Sequence, residues 1–154
     1  MSKIYLACDH GGLELKKELA EYLRRENREF EDLGVDEIRS VDYPVYAKEV
    51  ALKVMGEEGA LGVLVCGTGQ GMAMAANKFP GIRAAVCSDV YSAGMVRKHN
   101  DANVLCMGNR VLGMELAKMI LFTFLREKFQ GGRHAERLEL ISMIERGEHE
   151  KLQP

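Results

Sequence analysis

Several short polar clusters in this chain carry side chains able to move protons or hold anions. Cys66-Gly67-Thr68-Gly69-Gln70-Gly71 sets a thiol and a hydroxyl among glycines on alternate positions. Glycine permits positive φ and close approach of a ligand to the backbone, and amides at a helix start collect anions or developing negative charge. Cys8-Asp9-His10-Gly11-Gly12 adds a carboxylate and an imidazole, and His99-Asn100-Asp101 adds a second imidazole beside an amide. Arg133 and Arg137 are spaced i and i+4, one face of a helix, where two guanidiniums can clamp a phosphate. Tyr43 follows Asp42 and precedes Pro44, placed either to pack or to reach a ligand with its hydroxyl.

Each cluster also has a plain structural reading. Strand-to-helix turns need glycine for geometry, a histidine at a helix end is a dipole partner, and Arg133 and Arg137 could form a solvated face paired with Glu136 and Glu139. The glycine loop lacks the Gly-Lys-Ser/Thr ending of a Walker loop and has Met72 where a dinucleotide fingerprint needs its third glycine. Asp89 leaves the dinucleotide reading only a weak rival. Cys8, Cys66, Cys87 and Cys106 form no CxxC pair and no zinc-ligand spacing, so they read as thiols in a reducing compartment. Cys87 and Cys106 read as small buried hydrophobes. Cys66 differs because it adjoins the glycine loop.

The elements that must position these groups alternate strand and helix. Lys3 to Ala7, Glu29 to Leu33, Leu61 to Cys66, Arg83 to Cys87 and Asn103 to Met107 read as strands, Leu61 to Cys66 as an unbroken apolar run. Leu15, Leu19, Tyr22 and Leu23 give the stripe of a first helix, and Ala47, Val50, Ala51 and Val54 that of a second, with Asp42 as its expected N-cap. An alanine-rich helix follows the glycine loop, and another runs from Asp89 to Lys98. Leu116 to Leu125 is apolar on nearly every side and asks for cover on more than one face. After Gly131-Gly132 comes a last helix, with Leu140, Ile141 and Ile144 as its expected packing residues. Crossovers of this length imply a Rossmann-like three-layer α/β/α sandwich around a five-stranded parallel sheet. The strands' C-terminal ends, where Asp9, His10 and Cys66 fall, are then the ligand edge.

With 154 residues there is room for one core, so we expect a single domain over 1–146 and a polar, frayed tail over 147–154. Hydrophobic residues make 47% and charged residues 29%, and the formal net charge is -2, which favours a small metabolite over nucleic acid or an anionic membrane. Ile4 to Cys8 is too short for a signal peptide's apolar region, and no later run approaches about 20 apolar residues, so the expectation is a cytoplasmic protein.

Together with Ala76-Asn77-Lys78, Gly81-Ile82-Arg83 and Gly131-Gly132-Arg133-His134, these clusters resemble ribose-5-phosphate isomerases of the B type, in order and over essentially the whole chain. The family includes isomerases of allose 6-phosphate and galactose 6-phosphate. The resemblance implies interconversion of ribose 5-phosphate and ribulose 5-phosphate in the non-oxidative pentose phosphate pathway, without metal or cofactor. It implies Cys66 as general base, His99 as the residue that opens the furanose ring, and Asp9 as a mover of protons between sugar oxygens. Thr68 and the loop Gly67, Gly69, Gln70 and Gly71 would hold the enediolate with Asn100, and His10, Arg133 and Arg137 the phosphate. One branch uses a glutamate after the glycine loop; with Met72 there and Cys66 present, this chain resembles the cysteine branch. A homodimer with sites shared between chains is also implied, with pairing into tetramers left open.

The chemistry stands without the family. Isomerising an aldose needs a base beside the carbonyl carbon, stabilisation of enediolate oxygens, and a titratable group such as histidine to open the ring. A thiol beside loop amides and a helix start ionises more readily, which suits it to be that base.

Overall fold

The computed structural model describes residues 2–152, so residues 153 and 154 of the expected tail lie outside the described residues. The strands are β1 (Ile4–Cys8), β2 (Phe30–Asp32), β3 (Leu61–Cys66), β4 (Ala84–Val86) and β5 (Val104–Gly108). They pair in parallel in the order β2-β1-β3-β5-β4. β1, β3 and β5 are buried along their whole length, which is why they read as unbroken apolar runs rather than alternating ones.

The helices are α1 (Leu13–Arg25), α2 (Tyr43–Gly56), α3 (Gln70–Ala76), α4 (Val90–Asn100), α5 (Met114–Arg126) and α6 (Arg133–Glu145). Strand side chains alternate between faces, so one chain builds two cores. Ile4, Leu6, Val63, Val65 and Leu105 meet Leu15, Leu19 and Leu23 of α1 and Ile120, Leu121 and Phe124 of α5. Tyr5, Ala7, Leu64, Val104 and Cys106 meet Ala47, Val50 and Ala51 of α2 and Met72, Ala73 and Ala76 of α3. Lys16 is buried at the edge of the first core, its ammonium 2.7 Å from Asp32 and 3.0 Å from Asp36. Burial alone would push it down, but those two hydrogen bonds outweigh it and hold Lys16 charged, with its pKa above the ordinary lysine range.

Several helix ends and faces differ from expectation. Asp42 occupies the N-cap of α2 but its side chain makes no capping hydrogen bond; Pro44 in the first turn needs no amide acceptor. Asp89 does cap α4, accepting from the Ser92 N–H at 2.7 Å, which accounts for it without a ribose. α5 is two-sided: Ala117, Ile120, Leu121 and Phe124 are buried while Leu116, Met119 and Phe122 face outward. Leu140, Ile141 and Ile144 of α6 are not packed as expected but are about half exposed, because α6 touches the rest of its chain mainly along α4. After Arg146 the chain makes a 3-10 helix (His149–Lys151), with Arg146 and Lys151 both paired to Glu148.

The order of strands sets the ligand edge. From β1 the chain goes outward to β2, then crosses back over β1 to β3, so the helices that follow β1 and β3 lie on opposite faces of the sheet and a crevice opens outside the C-terminal ends of the two strands. Gly12 closes its floor, and a Cβ there would lie 2.5 Å from the Val65 carbonyl oxygen. Gly12→Ala should therefore destabilise the fold by about 3 kcal/mol through forced displacement of α1, whereas Gly56→Ala, with open space around it, should gain up to ~1 kcal/mol. Urea unfolding of both variants checks this; equal stabilities would show that α1 is free to shift.

Candidate active site

Loops from three strands converge at the C-terminal edge. Asp9 follows β1, is nearly buried, and is fixed by accepting the Gly11 N–H at 2.8 Å while its own N–H reaches the Val65 carbonyl at 3.2 Å. A Cβ on Gly11 would meet the Gly67 nitrogen at 3.2 Å, so the β1 loop lies close against the β3 loop and a side chain there would need the neighbour to give way slightly. Gly69 has φ +82 and its N–H donates to the Cys66 sulfur at 3.0 Å. That hydrogen bond fixes the sulfur against the glycine loop. Thr68 Oγ1 accepts the Gln70 N–H at 3.4 Å. The Tyr43 ring lies flush on Gly71, where a Cβ would meet it at 2.8 Å, so Tyr43 walls the glycine loop.

His10 sits beside them, its Nδ1 accepting the Val41 N–H at 3.2 Å. An imidazole that accepts at Nδ1 carries its proton at Nε2, leaving that N–H free to donate to an anion. His10 lines a pocket of about 370 Å³ with Leu13, Glu14, Lys17, Ile38 and Asn109.

Sequence reasoning missed Arg110. The loop after β5 is zipped to the cysteine loop, with Asn109 N–H donating to the Cys66 carbonyl at 2.9 Å and Arg110 N–H to the Gly67 carbonyl at 3.0 Å. The Arg110 guanidinium lies over Gly67, 3.4 Å from where a Cβ would stand. Its signal was available: Gly108-Asn109-Arg110 ends a strand on the same edge as Cys66.

The other expected site residues lie elsewhere. α4 runs back against the strands, so His99 and Asn100 arrive at the N-terminal edge, just before β5 begins. Gly62 pairs with Val104 and Cys66 with Gly108, so the two levels differ by four residues of strand, roughly 13 Å at ~3.3 Å each. Arg133 and Arg137 accompany His99 rather than Cys66. His134, between them, stacks on His99 with ring centroids 4.2 Å apart and planes 9° from parallel. Burial first, then the charges of His99, Arg133 and Arg137, hold the His134 pKa below the ordinary imidazole range, so the ring facing His99 is neutral at about pH 7. Among the described residues neither Arg133 nor Arg137 has a carboxylate partner, and Glu139 pairs instead with Arg146. One chain thus holds two separate half-constellations: thiol, carboxylate, glycine loop, Tyr43, His10 and Arg110 on one edge, and His99, Asn100, Arg133 and Arg137 on the other.

The remaining thiols are inert by burial. Burial pushes Cys8 and Cys87 up to about 11, and Cys106 higher still. Among the described residues no cluster of ligating side chains suits a metal ion. No helix of the described residues is long and apolar enough to cross a membrane.

The chain is similar to known proteins along most of its length. The family model for ribose/galactose isomerase matches residues 4–141. Ribose-5-phosphate isomerase B of Escherichia coli (strain K12) is 51% identical over 145 residues, covering 94% of this chain and 97% of that protein. Ribose-5-P isomerase B of Listeria innocua is 46% identical over 143 residues, with 93% and 97% covered. The solved structure of Clostridium thermocellum ribose-5-phosphate isomerase B superposes with a TM-score of 0.92 at 49% identity, covering 94% of this chain and 98% of that one. With a family model matching residues 4–141 and relatives of about half identity over more than nine-tenths of the chain, the chain belongs to the ribose/galactose isomerase family.

Proposed function

We propose that this protein interconverts ribose 5-phosphate and ribulose 5-phosphate by proton transfer through an enediolate, a reaction of the non-oxidative pentose phosphate pathway. The observation that carries the reading is the Cys66 sulfur, seated in the crevice against the Gly69 amide with Asp9 on the adjoining loop. As thiolate, Cys66 takes the proton from C2 of the open aldose and returns it to C1. The glycine-loop amides and Thr68 face the enediolate oxygens, while Asp9 carries a proton from one oxygen to the other. His10, donating from Nε2, and Arg110 add to the anion-binding character of this edge. The four free cysteines fit a cytoplasmic protein.

The complete site is a property of two chains. His99 and Asn100 at the end of α4 and Arg133 and Arg137 on α6 stand on the edge away from their own Cys66, and Leu140, Ile141 and Ile144 of α6 are about half exposed. A two-fold dimer in which this apolar face is buried would bring the second half-constellation of one chain to the first of the other. His99 then opens the furanose ring, Asn100 helps hold the enediolate, and Arg133 and Arg137 take the phosphate, with dimers free to pair further.

Three experiments test these assignments. Cys66→Ala should lose at least about two orders of magnitude in turnover while still binding substrate, and iodoacetamide should alkylate Cys66 before Cys87 or Cys106, whose thiols burial pushes up, as read by peptide mass spectrometry. Near-normal turnover of Cys66→Ala removes it as the base. His99→Asn should slow reaction from cyclic ribose 5-phosphate far more than from ribulose 5-phosphate, which forms no furanose ring; equal losses in both directions would remove the ring-opening role. Mixing inactive Cys66→Ala with the inactive Arg133→Ala, Arg137→Ala double variant, after reversible dissociation, should restore about a quarter of wild-type activity. Half of the randomly formed dimers are then heterodimers, each with one intact site. Verified heterodimers that stay inactive would assign the arginines to their own chain.

A further inference from the structure

The turn that carries His99 and Asn100 is held by an ion-pair knot that none of the proposed chemistry uses. Asp101, directly after Asn100, has φ +44, a left-handed conformation that side chains other than glycine adopt reluctantly. Its carboxylate is shared by two guanidiniums. Arg83 reaches Oδ2 at 2.9 Å, and Arg97, one helical turn back, reaches Oδ1 at 2.9 Å. Both arginines also take up the carbonyls left open where α4 ends. Arg83 Nε donates to the carbonyls of Asn100 at 3.1 Å and Asp101 at 2.9 Å, and Arg97 donates to that of Ala102 at 2.6 Å.

These arginines are themselves fixed. The Arg97 guanidinium lies over the Phe124 ring, 5.4 Å from its centroid, and is nearly buried. The Arg83 backbone N–H donates to Asn103 Oδ1 at 2.7 Å, and Asn103 Nδ2 donates to the Gly81 carbonyl at 2.8 Å. Gly81 N–H in turn donates to the Glu145 carboxylate of α6 at 3.1 Å. α6 is therefore tied to the same turn at both ends, by Glu145 on Gly81 and by His134 stacked on His99.

We propose that Asp101 is a positioning residue for this half of the site: clasped by Arg83 and Arg97, it locks the left-handed turn that aims His99 and Asn100, and through Gly81 and Glu145 it sets the seat of α6. A helix end bearing two site residues frays by default, because its last carbonyls have no helical partners. Here they are satisfied by guanidiniums whose direction Asp101 dictates. Glycine at the position would suit the backbone better and would lose the clasp, which separates conformational preference from positioning.

The inference rests on the assignment of His99 and Asn100 to the site, so its test has a readout apart from turnover. Asp101→Gly in the full chain should lower kcat/KM for ribose 5-phosphate by about tenfold or more. The His99 ring-proton NMR resonance, assigned with His99→Asn, should leave its His134-stacked position and broaden. Asp101→Asn, which keeps the shape and one acceptor, should recover part of both. A wild-type His99 resonance in Asp101→Gly overturns the inference, whatever the turnover. Full turnover of cyclic substrate by His99→Asn would instead defeat the ring-opening reading, and a displaced resonance in Asp101→Gly would still uphold positioning. If Asp101→Gly does not fold, Arg83→Gln is read by the same two measurements: a displaced resonance upholds the clasp and an unmoved one overturns it.

Discussion

Everything in this molecule follows from five strands running in one direction. A parallel sheet needs crossovers, crossovers put helices on both faces, and strands covered on both faces must be apolar throughout. The same directionality sorts the polar residues. Loops that follow strands gather at one edge and loops that follow helices gather at the other, so Cys66 and Asp9 are held apart from His99 and Asn100 by the length of the sheet. The apolar interior leaves no route by which one group could reach the other within the chain.

On the edge that bears the thiol, close approach matters more than charge. Gly11 against Gly67, Gly71 against Tyr43, and Gly108 against Thr68 are contacts at distances where a single added carbon would make the neighbour give way. Packing of bare backbone brings the amides of the loop within reach of one sulfur, and the Gly69 N–H makes that contact. The other edge is built by opposite means. There the backbone is loosely covered and guanidiniums, carboxylates and stacked rings hold it.

Much of this was legible beforehand because it is local. The strand Leu61 to Cys66 and, after Asn103, the run Val104 to Met107 announce themselves by unbroken apolar character, and Asp9, Thr68 and Cys66 by standing where such runs stop. What sequence conceals is which edge a helix end faces, since that needs the direction of every strand. So the spacing of His99, Arg133 and Arg137 gives their grouping but not their distance from Cys66. Arg110 escaped notice because an arginine after a glycine turn looks like any solvated cation until its guanidinium is seen over Gly67. Asp42 misled in the other direction: residue type and Pro44 mark a helix start, yet the hydrogen bond that defines a cap depends on a rotamer that sequence does not specify. Leu140, Ile141 and Ile144 form an apolar stripe, and a stripe says that a surface wants cover without saying whose surface supplies it.

The long reach of α6 has a kinetic side. A catalyst whose proton-moving thiol and phosphate-holding arginines reside on different copies has a working concentration set by association, so its rate per chain falls as the protein is diluted below the dissociation constant of the pair. On the proposed sharing of the site, a newly made, unpaired chain would carry Cys66 but lack the arginines proposed to hold the phosphate. Under the proposed pairing, encounter with a second copy would be the step that switches the chemistry on, and the stability of the assembly would decide how much of the protein is at work.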